Sequence, residues 1–161
     1  MNSAIPTYAL FEGTFLTPAP VLDRSVNILM FRDPQNKEYN LLINRTLLEE
    51  GQEIDSFCEA QVETLRNALP GFQTEGKMLR HEIGPAKLTV VQLANRYLQD
   101  GKVIRQVQSV LQLPLHNVAN PSGRGVIIFT LHAENEFTEY QRKHYVQALN
   151  SFNPEMSAQG R

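Results

Sequence analysis

The residues able to do acid–base, nucleophilic or metal chemistry in this sequence are few and scattered. His81, His116, His132 and His144 form no H-x-H or H-x-x-x-H pair, the spacings that bring two imidazoles onto one metal. Cys58 is the single cysteine, so no disulfide framework can form within the chain. It falls on the apolar stripe of a helical pattern, where a small buried hydrophobe is expected and not a nucleophile. "SGRG" at Ser122–Gly125 has neither the lysine nor the following helix of a P-loop, and no G-x-S-x-G occurs. Glu49, Glu50, Glu53 and Asp55 gather where a helix begins, and its dipole accounts for them without catalysis. Catalytic groups can meet in space from distant positions, but no residue recommends itself. The expectation is no enzyme, no cofactor and no metal site.

What remains is hydrogen bonding by uncharged amides set among aliphatic side chains. "SFCEAQVETLRNAL" (Ser56–Leu69) reads as an amphipathic helix with Phe57, Cys58, Val62, Leu65, Ala68 and Leu69 on one stripe. Gln61 falls near the midline of that stripe. An amide buried there without a partner costs about 1–3 kcal/mol. "VIRQVQSVLQL" repeats the theme in a strand. One phase carries Val103, Arg105, Val107, Ser109, Leu111 and Leu113, and the other Ile104, Gln106, Gln108, Val110 and Gln112. Glutamines on a solvated strand give the same spacing, and a bond to a neighbouring loop would satisfy Gln61, so spacing alone leaves these readings open.

The elements that must position these residues follow from turn and periodicity signals. Thr7–Phe15, with Gly13 as a turn former, Ser25–Asp33 and Tyr39–Arg45 read as strands, with "PQNKE" turning between the last two. The helix follows, with Ser56 and Glu59 fitting a capping box, a start one turn earlier left open, and Pro70 as its stop. Phe72–Gly84, Ala86–Gln99 and Lys102–Leu115 are extended, and Asp100-Gly101 is a hairpin turn signal. "VIIFTLHA" (Val126–Ala133) is a further strand. A second helix begins near Thr138, where Thr138 and Gln141 fit a capping box, and ends near Ser151. The order predicts an α+β domain: a mostly antiparallel sheet of about seven strands with two helices. One domain is expected over residues 1–153, with 154–161 a flexible tail.

Composition narrows the partners. A net charge of −2, with no run of Lys or Arg, argues against nucleic acid. No stretch approaches the roughly 18 apolar residues of a membrane span, and the N-terminus has no signal-peptide pattern. A cytoplasmic protein without stable membrane association is expected. The strands, however, hold more apolar surface than a half-wet antiparallel sheet needs. "SVNILMF" carries Val26, Ile28 and Met30 in one phase and Leu29 and Phe31 in the other, and "VIIFTL" is apolar in both. Two helices are expected to cover one face, leaving an apolar patch on the second for a partner.

"FEGTF", "RSVNILMF", "YNLLINR", "QVETLRNALPGF", "YLQDGKVIRQVQSVL" and "FTEYQRKHYVQALNSF" together resemble the DcrB-related family across Tyr8–Asn153. More narrowly, they resemble the effector-associated (Eag) chaperones of bacterial type VI secretion systems. The resemblance implies a small curved sheet of DcrB/PsbP-like fold, assembled as a homodimer. It implies a cytosolic chaperone that shields the N-terminal transmembrane helices of a secreted effector of PAAR or Rhs type, without ATP. It places the client groove at Val26 and Ile28, at Leu42, at Gln61, Leu65 and Leu69, and at Gln108 and Val110. Read from residues alone, a homodimeric scaffold or another protein-binding module without a membrane-helix client fits equally well.

Overall fold

The computed structural model describes residues 5–154; of the expected flexible tail 154–161, all but Pro154 lies outside the described residues. The chain runs β1 (Thr7–Ala9), β2 (Thr14–Leu16), β3 (Asn27–Arg32), β4 (Glu38–Leu47), α1 (Ile54–Ala68), β5 (Gln73–Thr74), β6 (Leu79–Ile83), β7 (Leu88–Gln99), β8 (Lys102–Gln112), β9 (Gly125–Glu134) and α2 (Glu139–Ser151). β3 to β9 build one seven-stranded sheet in the order β3-β4-β9-β8-β7-β5, with β6 also on β7. Every pairing in it is antiparallel. The α+β class and the two helices are as the sequence predicts.

Several boundaries differ for local reasons. The first extended run folds back on itself, pairing Thr7 with Leu16 and Tyr8 with Phe15 in a separate two-stranded hairpin. The run Phe72–Gly84 divides into β5 and β6 around Gly76, whose φ of 85° suits glycine. α1 begins a turn before Ser56, with Glu53 at the N-cap and no side-chain cap. The Asp100-Gly101 turn takes φ of 52° and 76°, the two positive values a tight hairpin needs between long strands.

Register assigns the side chains to faces. Val90, Leu111, Ile127, Phe129, Leu131, Tyr39 and Leu41 point one way and form the larger core with Tyr145 and Leu149 of α2. The alternate residues Val91, Leu93, Val110, Val126 and Ile128 point the other way and form a smaller core with Cys58, beside Ile54, Phe57 and Val62 of α1. The two helices therefore do not share a face, correcting the expectation that both would cover one. β9 explains why: it is buried from Gly125 to Ala133 except at His132, so both of its faces need cover.

α2 is held firmly. Thr138 and Gln141 form the predicted capping box, and both side chains also donate to Asp33 Oδ2, at 3.2 and 3.3 Å. Tyr39 and the Nδ1 of His144 are 2.8 Å apart. Gly84, at φ 72°, lies where a Cβ would come within 2.7 Å of the Phe152 carbonyl, so the β6–β7 turn closes tightly against the end of α2. Tyr145 reaches the middle of the sheet, its hydroxyl 2.5 Å from Ser109 Oγ and donating to the Phe129 carbonyl at 2.9 Å. Burial pushes its phenol pKa well above the ordinary value, so the hydroxyl stays protonated. Tyr145→Phe removes these bonds while keeping the ring. It is expected to lower unfolding free energy by about 1–2 kcal/mol, read as a lower urea midpoint with unchanged m-value; an unshifted midpoint contradicts this role.

Candidate functional site

α1 lies across β7 and β8, and its two flanks meet different surroundings. At about 100° per residue, Glu59, Val62 and Glu63 fall to one side of the buried Cys58. That side closes a cavity of about 440 Å³ with Phe72, Met78, Leu93 and Asn95. Asp55 on the same side pairs with Arg80 of β6. Phe57, Gln61 and Ala68 fall to the other side, which faces β9, β4 and β3. Leu65 and Leu69 continue the sheet-facing line about two and three turns beyond Cys58.

Beyond that second flank the sheet is open. A cross-strand row runs Leu93, Gln108, Thr130, Leu42, Ile28, each paired with the next. Burial fades along it: Gln108 and Thr130 are buried, Leu42 is half-buried, and Ile28 is 64% exposed. The neighbouring row runs Asn95, Gln106, His132, Asn40, Met30 and also ends exposed, at Met30. Val26, just before β3, is exposed as well. The result is a shallow trough with α1 as its wall and β3 as its outer margin.

The glutamines of β8 have three different fates. Gln106 donates to Asn95 Oδ1 at 3.1 Å, and Gln112 donates to the Gly123 carbonyl at 3.2 Å. Gln108, between them, has its Oε1 buried without a partner among the described residues, as does its cross-strand neighbour Thr130 at Oγ1. Each unpaired buried oxygen costs about 1–3 kcal/mol. Both sit at the foot of α1 and at the head of the trough.

The sequence-derived residues thus divide. Val26, Ile28 and Leu42 lie along the open part of the trough, Gln61 on the wall flank facing it, and Gln108 at its head. Leu65 and Leu69 are half-buried beneath or at the end of α1. Val110 is fully buried in the core under α1 beside Cys58, so it seats the helix. Burial raises the Cys58 thiol pKa to about 12, with Asp55 adding to the shift, so it remains a neutral packing group. Met30 shares the strand phase of Val26 and Ile28 that the sequence shows, whereas Thr130 and the place of His132 in the trough did not emerge from the sequence. The one available signal was Thr130, the only hydroxyl in the apolar run "VIIFTL".

A family model for DcrB matches residues 12–151. The chain belongs to the DcrB family. Among solved structures, this DcrB-family chain is similar to the Pseudomonas aeruginosa protein PA94, of unknown function, with a TM-score of 0.70 and 19% identity over 95% of this chain and 99% of that one. That likeness shows the shared fold. A weaker similarity, TM-score 0.48 and 18% identity over 83% of this chain and 78% of the other, is to LpqN, involved in cell envelope biogenesis of Mycobacterium tuberculosis. No curated protein matches the sequence significantly. Among the described residues no helix is long and apolar enough to cross a membrane, and no cluster of three or more His, Cys, Asp or Glu is placed to hold a metal.

His132 gives the trough a pH signature. Its Nε2 is 3.1 Å from the Tyr97 hydroxyl, while its Nδ1 is buried without a partner among the described residues. Burial lowers its pKa below the ordinary value. Below the unfolded-state value of about 6.5, the unfolded chain takes up a proton that the folded one refuses. Acidification through that range therefore favours unfolding. Wild type is expected to lose more thermal stability than His132→Gln between neutral pH and mildly acidic pH; parallel losses in the two proteins contradict this.

Proposed function

We propose that the protein binds other proteins through the open half of the α1 face. Its occupant is the N-terminal transmembrane helix of an effector exported by a type VI secretion system. In this reading the protein is an effector-associated (Eag) chaperone, not an enzyme, working in the bacterial cytoplasm as a homodimer. It holds its client without ATP, in keeping with the lack of a P-loop motif in the sequence. Support comes from DcrB-family membership and from the segments that resemble those chaperones. The observation that carries the reading is that the unpaired oxygens of Gln108 and Thr130 begin the cross-strand row that passes through Leu42 to the exposed Ile28, flanked on β3 by exposed Val26 and Met30.

The physical logic is that of a surrogate helix neighbour. A transmembrane helix exposes about 20 apolar residues, and covering them recovers roughly 25 cal/mol per Å². Such helices pack through small residues with polar side chains bridging between them. Gln61, Gln108 and Thr130 offer bridges of that kind to a serine or threonine of the client. A guest without matching groups leaves the buried oxygens unpaired, which favours membrane-type helices over generic apolar chain.

The oxygens of Gln108 and Thr130 are closed to water, so a guest reaches them only as α1 shifts. α1 is suited to shifting: only Cys58 of its residues is buried and its N-terminus has no side-chain cap. α2, by contrast, buries Gln141, Tyr145 and Leu149 and carries a capping box.

Co-expression with the N-terminal segment of a candidate effector tests the proposal. Wild type is expected to keep the segment soluble and co-purify with it. Ile28→Asp, which puts a charge in the trough, should abolish retention, and Gln108→Ala and Gln61→Ala should each weaken it about tenfold, with circular dichroism unchanged. Retention by folded Ile28→Asp equal to wild type, or no retention by wild type, overturns it.

A further inference from the structure

The sheet edge beside α1 is interrupted by a bulge. β5 pairs Thr74 with Asn95 and β6 resumes with Leu79 opposite Gln92, so four residues, 75–78, stand against two, 93 and 94. A bulge bends its strand out of the ladder and re-aims side chains, and bulges gather beside functional sites. Gly76, at φ 85°, makes this bend. Lys77 and Met78 thereby become the wall opposite α1 of the cavity of about 440 Å³ that lies on the flank of α1 away from the trough.

The cavity is apolar within and charged at its mouth. Val62, Phe72, Met78 and Leu93 line it, with Phe72 and Leu93 buried. One polar group lies at depth: Asn95, 2% exposed. Its Oδ1 accepts from Gln106 on β8 at 3.1 Å, which turns its Nδ2 toward β5 and the cavity, where it donates to no acceptor among the described residues. At the mouth, Glu59 of α1 and Lys77 of the bulge are exposed on opposing walls. Neither is in an ion pair among the described residues. Glu63, the second carboxylate there, is already paired with Arg66 at 3.5 Å.

We propose that this cavity binds a short apolar peptide of two or three residues by its free ends. The peptide's ammonium pairs with Glu59 and its terminal carboxylate with Lys77. A peptide carbonyl accepts from Asn95 Nδ2, and the side chains fill the space between Val62, Phe72, Met78 and Leu93. Two residues of extended chain span about 7 Å, which carries the two charged ends to opposite walls. Related ligands leave groups unused. An apolar amine does not engage Lys77, and a fatty acid does not engage Glu59. A single amino acid has no neutral carbonyl between its charges, and it underfills a cavity in the roughly 300–1,000 Å³ range of drug-sized ligands. Exposed ion pairs contribute little, so the apolar walls supply most of the affinity and the two ends supply the selection. The inference goes beyond the client reading and does not depend on it.

Titration of the dipeptide Leu-Leu into the isotope-enriched full chain, followed by amide NMR shifts, tests the site. Amides at 72–78 and 93–95 are expected to shift, with a dissociation constant of about 0.1–1 mM. N-acetyl-Leu-Leu and Leu-Leu amide should each bind about fivefold more weakly. Glu59→Gln should weaken Leu-Leu by the same factor and leave N-acetyl-Leu-Leu unchanged. Lys77→Gln should weaken Leu-Leu likewise and leave the amide unchanged. Thr74 also lines the cavity, from β5. Thr74→Phe keeps a strand-forming residue there and fills the space, so it should abolish binding with circular dichroism unchanged. Any of four results overturns the proposal: no saturable shift, shifts centred on amides 27–32 of the trough, blocked peptides binding as tightly as Leu-Leu, or folded Thr74→Phe binding like wild type.

Discussion

Everything in this fold follows from a central strand that is apolar on both faces. β9 is buried on each side from Gly125 to Ala133 except at His132, so the sheet needs cover above and below, and among the described residues only two helices are available. Each takes one face. A helix about 10 Å across spans roughly two strands at about 4.8 Å spacing. α1, seated on β7 and β8, therefore leaves β4 and β3 uncovered on its side. The trough is the remainder of that division, and its exposed aliphatic margin is a geometric consequence of too few helices for the sheet.

The asymmetry between the helices matters as much as their placement. α2 brings a capping box, a buried tyrosine at the middle of the sheet and bonds to Asp33. α1 brings one buried residue, Cys58, and an uncapped start. The firm helix supports the fold, and the light one stands beside the two unpaired oxygens. A surface that accepts a long apolar guest needs an element that moves at small cost, and such elements come from the less stable part of a structure.

Much of this was legible in the sequence where local chemistry decides structure. Thr138 with Gln141, Asp100 with Gly101, and the double apolar phases of "VIIFTL" and "SVNILMF" each specify their outcome nearly alone. The misses lie where tertiary placement decides. The alternation in β8 identifies a face but not which helix covers it, so the helices were expected together and are apart. Val110 and Gln108 share a phase and differ in fate, because α1 crosses one end of that row and Gln106 alone finds Asn95 opposite. Thr130 was hidden inside an apolar run, since its importance depends on Gln108 lying opposite in register. Gly13 marks a turn within the first extended run, but nothing local shows that its two halves pair with each other apart from the main sheet.

The open half of the α1 face is the centre of this account, and site-specific photo-crosslinking tests it most directly. A photoreactive residue at Ile28, in the trough, is compared with one at Val146 on α2, which is 52% exposed on the opposite side of the sheet. With an effector's N-terminal helix co-expressed, the account predicts a crosslink from position 28 and none from position 146. Equal crosslinking from both positions, or a crosslink from position 146 alone, would contradict it.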